Sequence, residues 1–473
     1  MPHTKDSSSN RLYEALIVSS LFTCGFAFYL SIFLKDPLVP MIDGPYYLIQ
    51  VKSIFLDGKL AYGDPPLTFY LFSIFAILLG DIMFGVKVGA SFFSALTTIP
   101  AYFLMKRAGK GVFAGSLAML LIILSAPYIR MLTDFMKNAI GVCWLLAFIY
   151  YLYDITSSGI RRENIILASF FLILTGLTHI LDFGVALLFL ILYTVAGFIL
   201  NVNRRVFLKA AAILFFASVF FVLFTSTFFG HLFSDYNKAI SFLKDLIGLG
   251  GAAIKRVRPI PIQPLPPLRR AELPHAINVW PLILIVAGTI LSFNLWRKKR
   301  MADLCLISTT TIICLLMNLP VIPVEWLWRF ELMTVVPSAI ILSYSASRIW
   351  KIGKEEAAIF AAIIIVLSAS QAIGTAMTIH PTISYQGYLD LVEMKNKIPA
   401  GSLIVVSKPS LRYWAEYVMY GSDVTFGKLW KMPPQTLRSY QHVFLILQRG
   451  RAPHIPSKIV LVGRVYMLVE LRP

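Results

Sequence analysis

Apolar stretches of about twenty residues recur along this chain between short polar connections, which is the length that ~30 Å of hydrocarbon demands of a helix. Five of the connections are basic: Lys106-Arg107-Ala108-Gly109-Lys110, Arg161-Arg162, Arg204-Arg205, Arg297-Lys298-Lys299-Arg300 and the segment 348–354. The connections between them carry far fewer cations, so one membrane face holds all five, and the positive-inside rule assigns that face to the cytoplasm. The pattern then predicts spans near 12–34, 87–106, 111–127, 138–154, 163–181, 183–201, 206–229, 279–296, 302–319, 329–348 and 356–378. That is about eleven transmembrane helices, starting inside and ending outside.

One more apolar segment, 65–84, would push every later basic cluster outward if it crossed. It is predicted instead to be an external interfacial helix in a first loop at 35–86, its Pro65-Pro66 start suiting a helix amino terminus. An ordinary span with the opposite topology is the alternative. Segment 230–278, with six prolines and seven basic residues, is predicted to be an external mobile loop that closes over a site. Residues 379–473 are predicted to form a small extracytoplasmic α/β domain, with a helix at 387–397 and strands at 402–406, 442–447 and 458–470. The fold class is thus a polytopic α-helical membrane protein over 1–378 with a small soluble domain after it.

Composition agrees. Hydrophobic residues make up 58% of 473 positions and charged ones 14%, with mean hydropathy +0.74, too little polar surface to cover a water-soluble globule. The net charge of +19 sits in the connections, where it reads as a topology signal rather than a nucleic-acid surface. Segment 12–34 is too long for a signal core and reads as a first anchor. Cys24, Cys143, Cys305 and Cys314 all fall in apolar segments and behave as small hydrophobes rather than disulfide partners.

Two polar motifs break the apolar sequence: Asp43-Gly44-Pro45-Tyr46-Tyr47 and Leu132-Thr133-Asp134-Phe135-Met136-Lys137-Asn138. With the topology above, Asp43, Asp57 and Asp64 lie in the first external loop, Arg130, Asp134 and Lys137 in the second, His179 and Asp182 cap the third, and Glu325 and Arg329 bracket the fourth. Carboxylates able to remove a proton or hold a metal, beside cations able to hold an anion, suit a phosphate-bearing lipid substrate. Each residue also has a structural reading. Asp43-Gly44-Pro45 has turn chemistry, and Asp134 could cap a helix opening near Phe135. His179 could be a satisfied boundary residue, Asp57 and Lys59 solvated faces, and Arg329, after Trp326 and Trp328, an interfacial anchor.

The order of these features resembles the GT-C superfamily of integral membrane glycosyltransferases, which includes oligosaccharyltransferases, protein mannosyltransferases and aminoarabinose transferases. The resemblance rests on the first-loop Asp motif, the Pro-Pro-Leu-Thr-Phe-Tyr helix, the Lys-Arg inner turn, Thr-Asp-Phe-Met-Lys-Asn, Gly176-Leu177-Thr178-His179, and later Trp328-Arg329-Phe330-Glu331-Leu332 with Pro337. It implies that Asp43 is the first-loop acid acting as general base or metal and acceptor ligand, and that Asp134 is the second-loop acid that coordinates metal or positions substrate. It implies substrate contacts for Asp64 and Arg329, with Lys137, His179 and Tyr46 beside them, and leaves room for a divalent cation, Mg or Mn, on Asp43 and Asp134. The partners implied are a polyprenyl-phosphate or polyprenyl-diphosphate sugar donor, a glycan, lipid or protein acceptor, and membrane lipid, with no nucleic acid. The chain has Asp-Gly where protein mannosyltransferases have Asp-Glu, and it lacks the Trp-Trp-Asp-Tyr-Gly signature of oligosaccharyltransferases, of which Tyr413-Trp414-Ala415-Glu416-Tyr417 is a faint echo. The competing readings are a transporter or flippase of a lipid-linked sugar, and a non-catalytic membrane scaffold.

Overall fold

The computed structural model describes residues 4–159, 161–202, 204–233, 240–241, 244, 279–319, 322, 324–427, 437, 439–450 and 457–471. The loop predicted at 230–278, and its closing role, therefore fall almost wholly outside the described residues, as does the side chain of Glu325.

The chain opens with α1 (Thr4–Leu34), followed by α2 (Gly44–Asp57) and α3 (Leu67–Leu79). The 13 residues of α3 rise only ~20 Å, too short to cross hydrocarbon. One side of α3 buries Phe69, Phe72 and Ala76, while Tyr70, Ile74 and Ile77 are exposed, the pattern of a helix lying against apolar solvent. The apolar segment expected at 65–84 thus ends early, because Asp81 begins a new helix by accepting the Phe84 N–H at 2.6 Å. That helix is α4 (Ile82–Leu96), continued after a break by α5 (Thr98–Gly109). Gly85 lets α4 lie on α3, since a Cβ there would stand 2.4 Å from the Ala76 Cα.

Next come α6 (Val112–Ile123) and α7 (Ala126–Asp134), bent by 52° at Ser125 and Pro127. The Ser125 side chain caps α7, and Pro127 starts it where no N–H is needed. The Tyr128 hydroxyl then pins α7 in place, donating toward the carbonyls of Ser94 (3.1 Å) and Ala139 (3.0 Å). The remaining membrane-domain helices are α8 (Met136–Ser158), α9 (Arg162–Thr178), α10 (Ile180–Ile199), α11 (Arg204–Phe228), α12 (Val279–Arg297), α13 (Met301–Met317), α14 (Val324–Leu332), α15 (Val335–Trp350) and α16 (Lys354–Thr378). Most residues of α8 and α15 are buried, whereas α11 and α16 expose Phe215, Phe216, Phe220, Ile359, Ile363 and Val366 outward as a lipid-facing belt.

Every apolar segment expected to cross is helical, and the chain is a multi-pass membrane protein. Among the described residues eight helices are long and apolar enough to cross alone, or nine with the bent α6–α7 pair counted as one. The difference from eleven lies in α9 and α13, each of 17 residues and therefore only ~25 Å long.

The C-terminal part holds α17 (Tyr385–Lys395), α18 (Pro409–Val418) and strands β1 (Leu403–Val406), β2 (Asp423–Phe426), β3 (Val443–Gln448), β4 (Ser457–Val462) and β5 (Tyr466–Leu471). The sheet order is β2-β1-β3-β5-β4, with β1 parallel to β2 and β3 and the rest antiparallel. The expected strand 458–470 is two strands, because Gly463 and Arg464 turn the chain back on itself. Helix α18 and strand β2 were not expected from the sequence. Buried Trp414 and Leu411 of α18 and Leu391 and Met394 of α17 pack with Ile404, Phe444 and Leu468 of the sheet. Lys35, just past α1, donates to the carbonyls of Met377 (2.8 Å) and Ile379 (3.2 Å), so the first helix caps the last span where the chain leaves it.

Asp390 holds the β4–β5 turn. Its carboxylate, 3% exposed, accepts backbone N–H bonds from Arg464 (3.0 Å), Val465 (2.6 Å) and Tyr466 (2.9 Å). Asp390→Ala leaves these donors without their acceptor and is expected to lower local stability by about 2 kcal/mol, roughly thirtyfold in opening. Hydrogen exchange of the 466–471 amides checks this; unchanged exchange would show that the turn does not depend on the carboxylate.

Candidate active site

The loop between α2 and α3 builds one half of the site. Asp64, 2% exposed, accepts the Tyr46 hydroxyl at 2.6 Å on Oδ2, and Lys137 Nζ reaches both of its carboxylate oxygens. A carboxylate so enclosed stays ionised only with such partners. Gln50 fixes the geometry from behind: its amide donates to the Tyr46 hydroxyl (3.0 Å) and the Tyr62 carbonyl (3.1 Å) and accepts the Tyr62 N–H (3.0 Å). Tyr46, Asp64 and Lys137, three of the residues singled out in the sequence, thus form one hydrogen-bonded unit from three elements.

The α7–α8 junction builds the other half. Asp134 ends α7 and does not cap α8, whose first turn follows Phe135. Its carboxylate faces the backbone of Asp43 and Ile42 and lies 3.4 Å from Arg130 Nη2. Asp43 precedes α2 without capping it through its side chain, so the turn reading accounts for its backbone and not for its carboxylate. The two acidic motifs therefore lie side by side, with Asp134 facing the backbone of Asp43. Arg329 on α14 stands over the rings of Phe135 (5.9 Å), Trp326 and Trp328 (5.4 Å each), and its buried Nε has no hydrogen-bond partner among the described residues. It is both an aromatic-belt arginine and a neighbour of the acidic junction.

His179 is bound into a third group. Its Nδ1 lies 2.9 Å from Asp182 Oδ2, and the Asn138 amide, turned with nitrogen toward Asp182, donates to both carboxylate oxygens at 2.7 Å. Gly141 makes room, since a Cβ there would stand 2.2 Å from Asp182 Oδ2. Asp182, fully buried, is within electrostatic reach of Lys137, which connects this group to Asp64. Asp57 stays exposed, and its carboxylate is met by Tyr420 and Ser53, in keeping with a structural role.

The C-terminal part also reaches the site. Glu416 on α18 accepts the Tyr62 hydroxyl, and the Tyr413 ring meets those of Tyr46 (5.7 Å) and Tyr62 (6.5 Å) edge-on. Burial raises the Glu416 carboxyl above its ordinary range, against the lowering influence of Tyr62 and Arg412. Glu416 and Tyr413 were not site candidates in the sequence; the only pointer was the Tyr413-Trp414-Ala415-Glu416-Tyr417 run. Met41 N–H bonds to the His380 carbonyl at 3.1 Å, so the chain entering this part lies beside the Asp43 turn.

Among the described residues no group of three or more His, Cys, Asp or Glu side chains is arranged to hold a metal ion. Asp43 and Asp134 offer hard oxygen donors, which fit a divalent cation that draws its other ligands from water and phosphate.

The architecture has solved counterparts. The chain is similar to the archaeal oligosaccharyltransferase AglB from Archaeoglobus fulgidus in complex with an inhibitory peptide and a dolichol-phosphate, with TM-score 0.61 and 13% identity over 90% of this chain and 69% of that one. It is similar to ArnT from Cupriavidus metallidurans bound to undecaprenyl phosphate, with TM-score 0.53 and 11% identity over 96% of this chain and 97% of that one. The Archaeoglobus fulgidus oligosaccharyltransferase in complex with Zn and sulfate matches with TM-score 0.57 and 12% identity, covering 90% and 67%. No family model and no curated protein matches the sequence. These likenesses establish the fold as GT-C-like.

Lys52 of α2 docks on α18, donating to the Tyr417 carbonyl at 2.7 Å beneath the rings of Tyr417 and Tyr420. Burial, and then Lys395, pushes its ammonium down to about 8. An unfolded lysine titrates near ~10.4, so between about pH 8 and 10 the folded chain binds fewer protons and gains stability as pH rises. Thermal unfolding at pH 7.5 and 9.5 should show this gain in wild type and a smaller one in Lys52→Met, which keeps the stem; equal gains would contradict the burial of the charge.

Proposed function

From the GT-C-like fold, we propose that this chain is a membrane glycosyltransferase that moves a sugar from a polyprenyl-phosphate or polyprenyl-diphosphate donor to an extracytoplasmic acceptor. The observation that carries the reading is the joining of Asp43, Asp134 and the Tyr46–Asp64–Lys137 unit at one end of the helices, with Arg329 beside them. Support comes from the similar structures, two of which hold a polyprenyl phosphate. In this reading the chain divides into a GT-C-like membrane part, 1–378, and an extracytoplasmic part, 379–473, with the amino terminus and basic face in the cytoplasm.

Transfer requires that an acceptor lose a proton while the lipid phosphate departs. The Asp43 carboxylate, not used in capping, is the general base or acceptor ligand, and Asp134 lies against the Asp43 backbone, where it supports that position. Arg329 has no ion pair among the described residues, and its planar fork suits the leaving phosphate. Lys137 is held by Asp64, so it acts at short range on an anion that enters beside that pair. Tyr46 presents its ring to the same space, and His179 acts through Asp182 to hold Asn138 and the start of α8. Attack from the base side opposite the phosphate inverts the anomeric carbon. A divalent cation, Mg or Mn, bound by Asp43 and Asp134 would offset phosphate charge.

The test is transfer of radiolabelled sugar from a panel of polyprenyl-phosphate sugars in membranes carrying wild type or Asp43→Asn, with and without chelator. Asp43→Asn is expected to lower transfer by about 10²–10⁴-fold at unchanged expression. Full activity in the variant sinks the assignment of Asp43. Absence of product from every donor, with saturable donor binding that survives Asp43→Asn, would favour a lipid-sugar transporter.

A further inference from the structure

A cavity of about 750 Å³ opens at the opposite end of the helices from the acids, lined by Lys106, Arg107 and Lys110 from the end of α5, Thr156 and Ser157 from the end of α8, and Arg300 before α13. Its walls also carry the rings of Phe103, Tyr150 and Tyr153. Some of the cations are partly answered. Lys106 pairs with Glu14, Arg107 lies 3.0 Å from Asp154, and Arg300 contacts Asp303, which is itself held by the hydroxyls of Tyr153 (2.6 Å) and Tyr344 (3.1 Å). These contacts build a rigid floor, since Asp303 is 4% exposed and takes bonds from three elements.

The balance stays positive. Lys110 lines the cavity with no ion pair among the described residues, and Arg348 and Lys351 at the end of α15 add two more cations without one. Burial, and then Arg300, Arg348 and Lys110, hold the Lys351 ammonium below its ordinary value, an independent sign that like charges are crowded here. Nη2 of Arg300 is spent on Asp303, so of the cavity's cations Lys110 is the one left without a carboxylate among the described residues. Three kinds of donor meet in one polar cavity: guanidinium, ammonium and hydroxyl. This is the donor set that takes phosphate oxygens, and it lies where the head groups of one leaflet end.

We infer that this basic cavity is a second ligand site, separate from the acidic end, that binds a phosphate-bearing anion. The phosphate belongs either to an anionic phospholipid head group or to a soluble phosphate or diphosphate. The phosphate sits against Lys110 and Arg300 with the Ser157 hydroxyl beside it, while the Thr156 hydroxyl is taken up by the Tyr153 carbonyl (2.8 Å) and the Tyr193 hydroxyl (2.6 Å). Because the site is built from the ends of α5, α8 and α13 together, an occupant ties these helix ends to one another.

The experiment uses the full chain in nanodiscs, as wild type, Lys110→Glu and, as a control of equal charge change, Lys298→Glu, an exposed lysine on the same face outside the cavity lining. In phosphatidylcholine nanodiscs sodium pyrophosphate is titrated calorimetrically; in mixed discs native mass spectrometry counts phosphatidylglycerol retained against phosphatidylcholine. Saturable pyrophosphate binding that weakens by about tenfold or more in Lys110→Glu and not in Lys298→Glu supports a soluble occupant. Selective retention of phosphatidylglycerol with the same sensitivity supports a lipid head group. Wild type that binds neither overturns the inference without recourse to a variant. So does binding that both variants leave intact or both reduce alike, since it then belongs to the acidic end or to net charge.

Discussion

A carboxylate that is 2% exposed in a helical membrane protein must be surrounded by donors or lose its charge, and Asp64 meets that condition by drawing Tyr46 from α2 and Lys137 from α8 onto itself. The position of the first loop follows from this unit. Gln50 can bridge Tyr46 and Tyr62 because both are held, and Tyr62 in turn offers its hydroxyl to Glu416. With Lys137 fixed, the turn before α8 is fixed too, and Asp134, one residue before that turn, faces the backbone of Ile42 and Asp43. Removing Lys137 would take from the buried Asp64 carboxylate the cation that answers its charge, a larger penalty than the pair itself contributes.

Much of this was legible in the sequence, and the reasons differ by element. Helices of about twenty apolar residues announce themselves, and the basic clusters order them, because the membrane requires both. The short amphipathic helix α18 was missed because Pro409–Val418 carries Arg412, Tyr413 and Glu416 among its apolar residues and reads as loop. Strand β2 has four residues at a sheet edge with no burial pattern to reveal it, and the β4–β5 turn is hidden by apolar residues on either side of Gly463 and Arg464. At the site, sequence order identified Asp43, Asp64, Asp134 and Lys137 as candidates, yet pairing across 73 residues, as between Asp64 and Lys137, leaves no local signal. The i,i+3 spacing of His179 and Asp182 was local and visible, while Asn138, which bonds to the same carboxylate from α8, was not.

The molecule is polarised along the helix axes. One end gathers acids whose oxygens are fixed by backbone and tyrosine donors; the other gathers arginine and lysine side chains around Asp303. The C-terminal part docks on the acidic end through Lys52, Tyr62 and the Lys35 cap, so it is positioned by polar contacts that leave its Tyr413 beside Tyr46. On the proposed reading this places acceptor-facing residues of the soluble part next to donor-facing residues of the membrane part. The GT-C-like architecture accounts for the separation of the two ends, and the chain's own side chains account for the chemistry assigned to each.

The most direct test of the account is a structure of the full chain in lipid with an undecaprenyl or dolichyl phosphate sugar bound. The account predicts the phosphate at the acidic end, within contact of Arg329 and close to Lys137, with the sugar directed toward Asp43. A donor phosphate seated away from Arg329 and Lys137, with its sugar out of reach of Asp43, would contradict it.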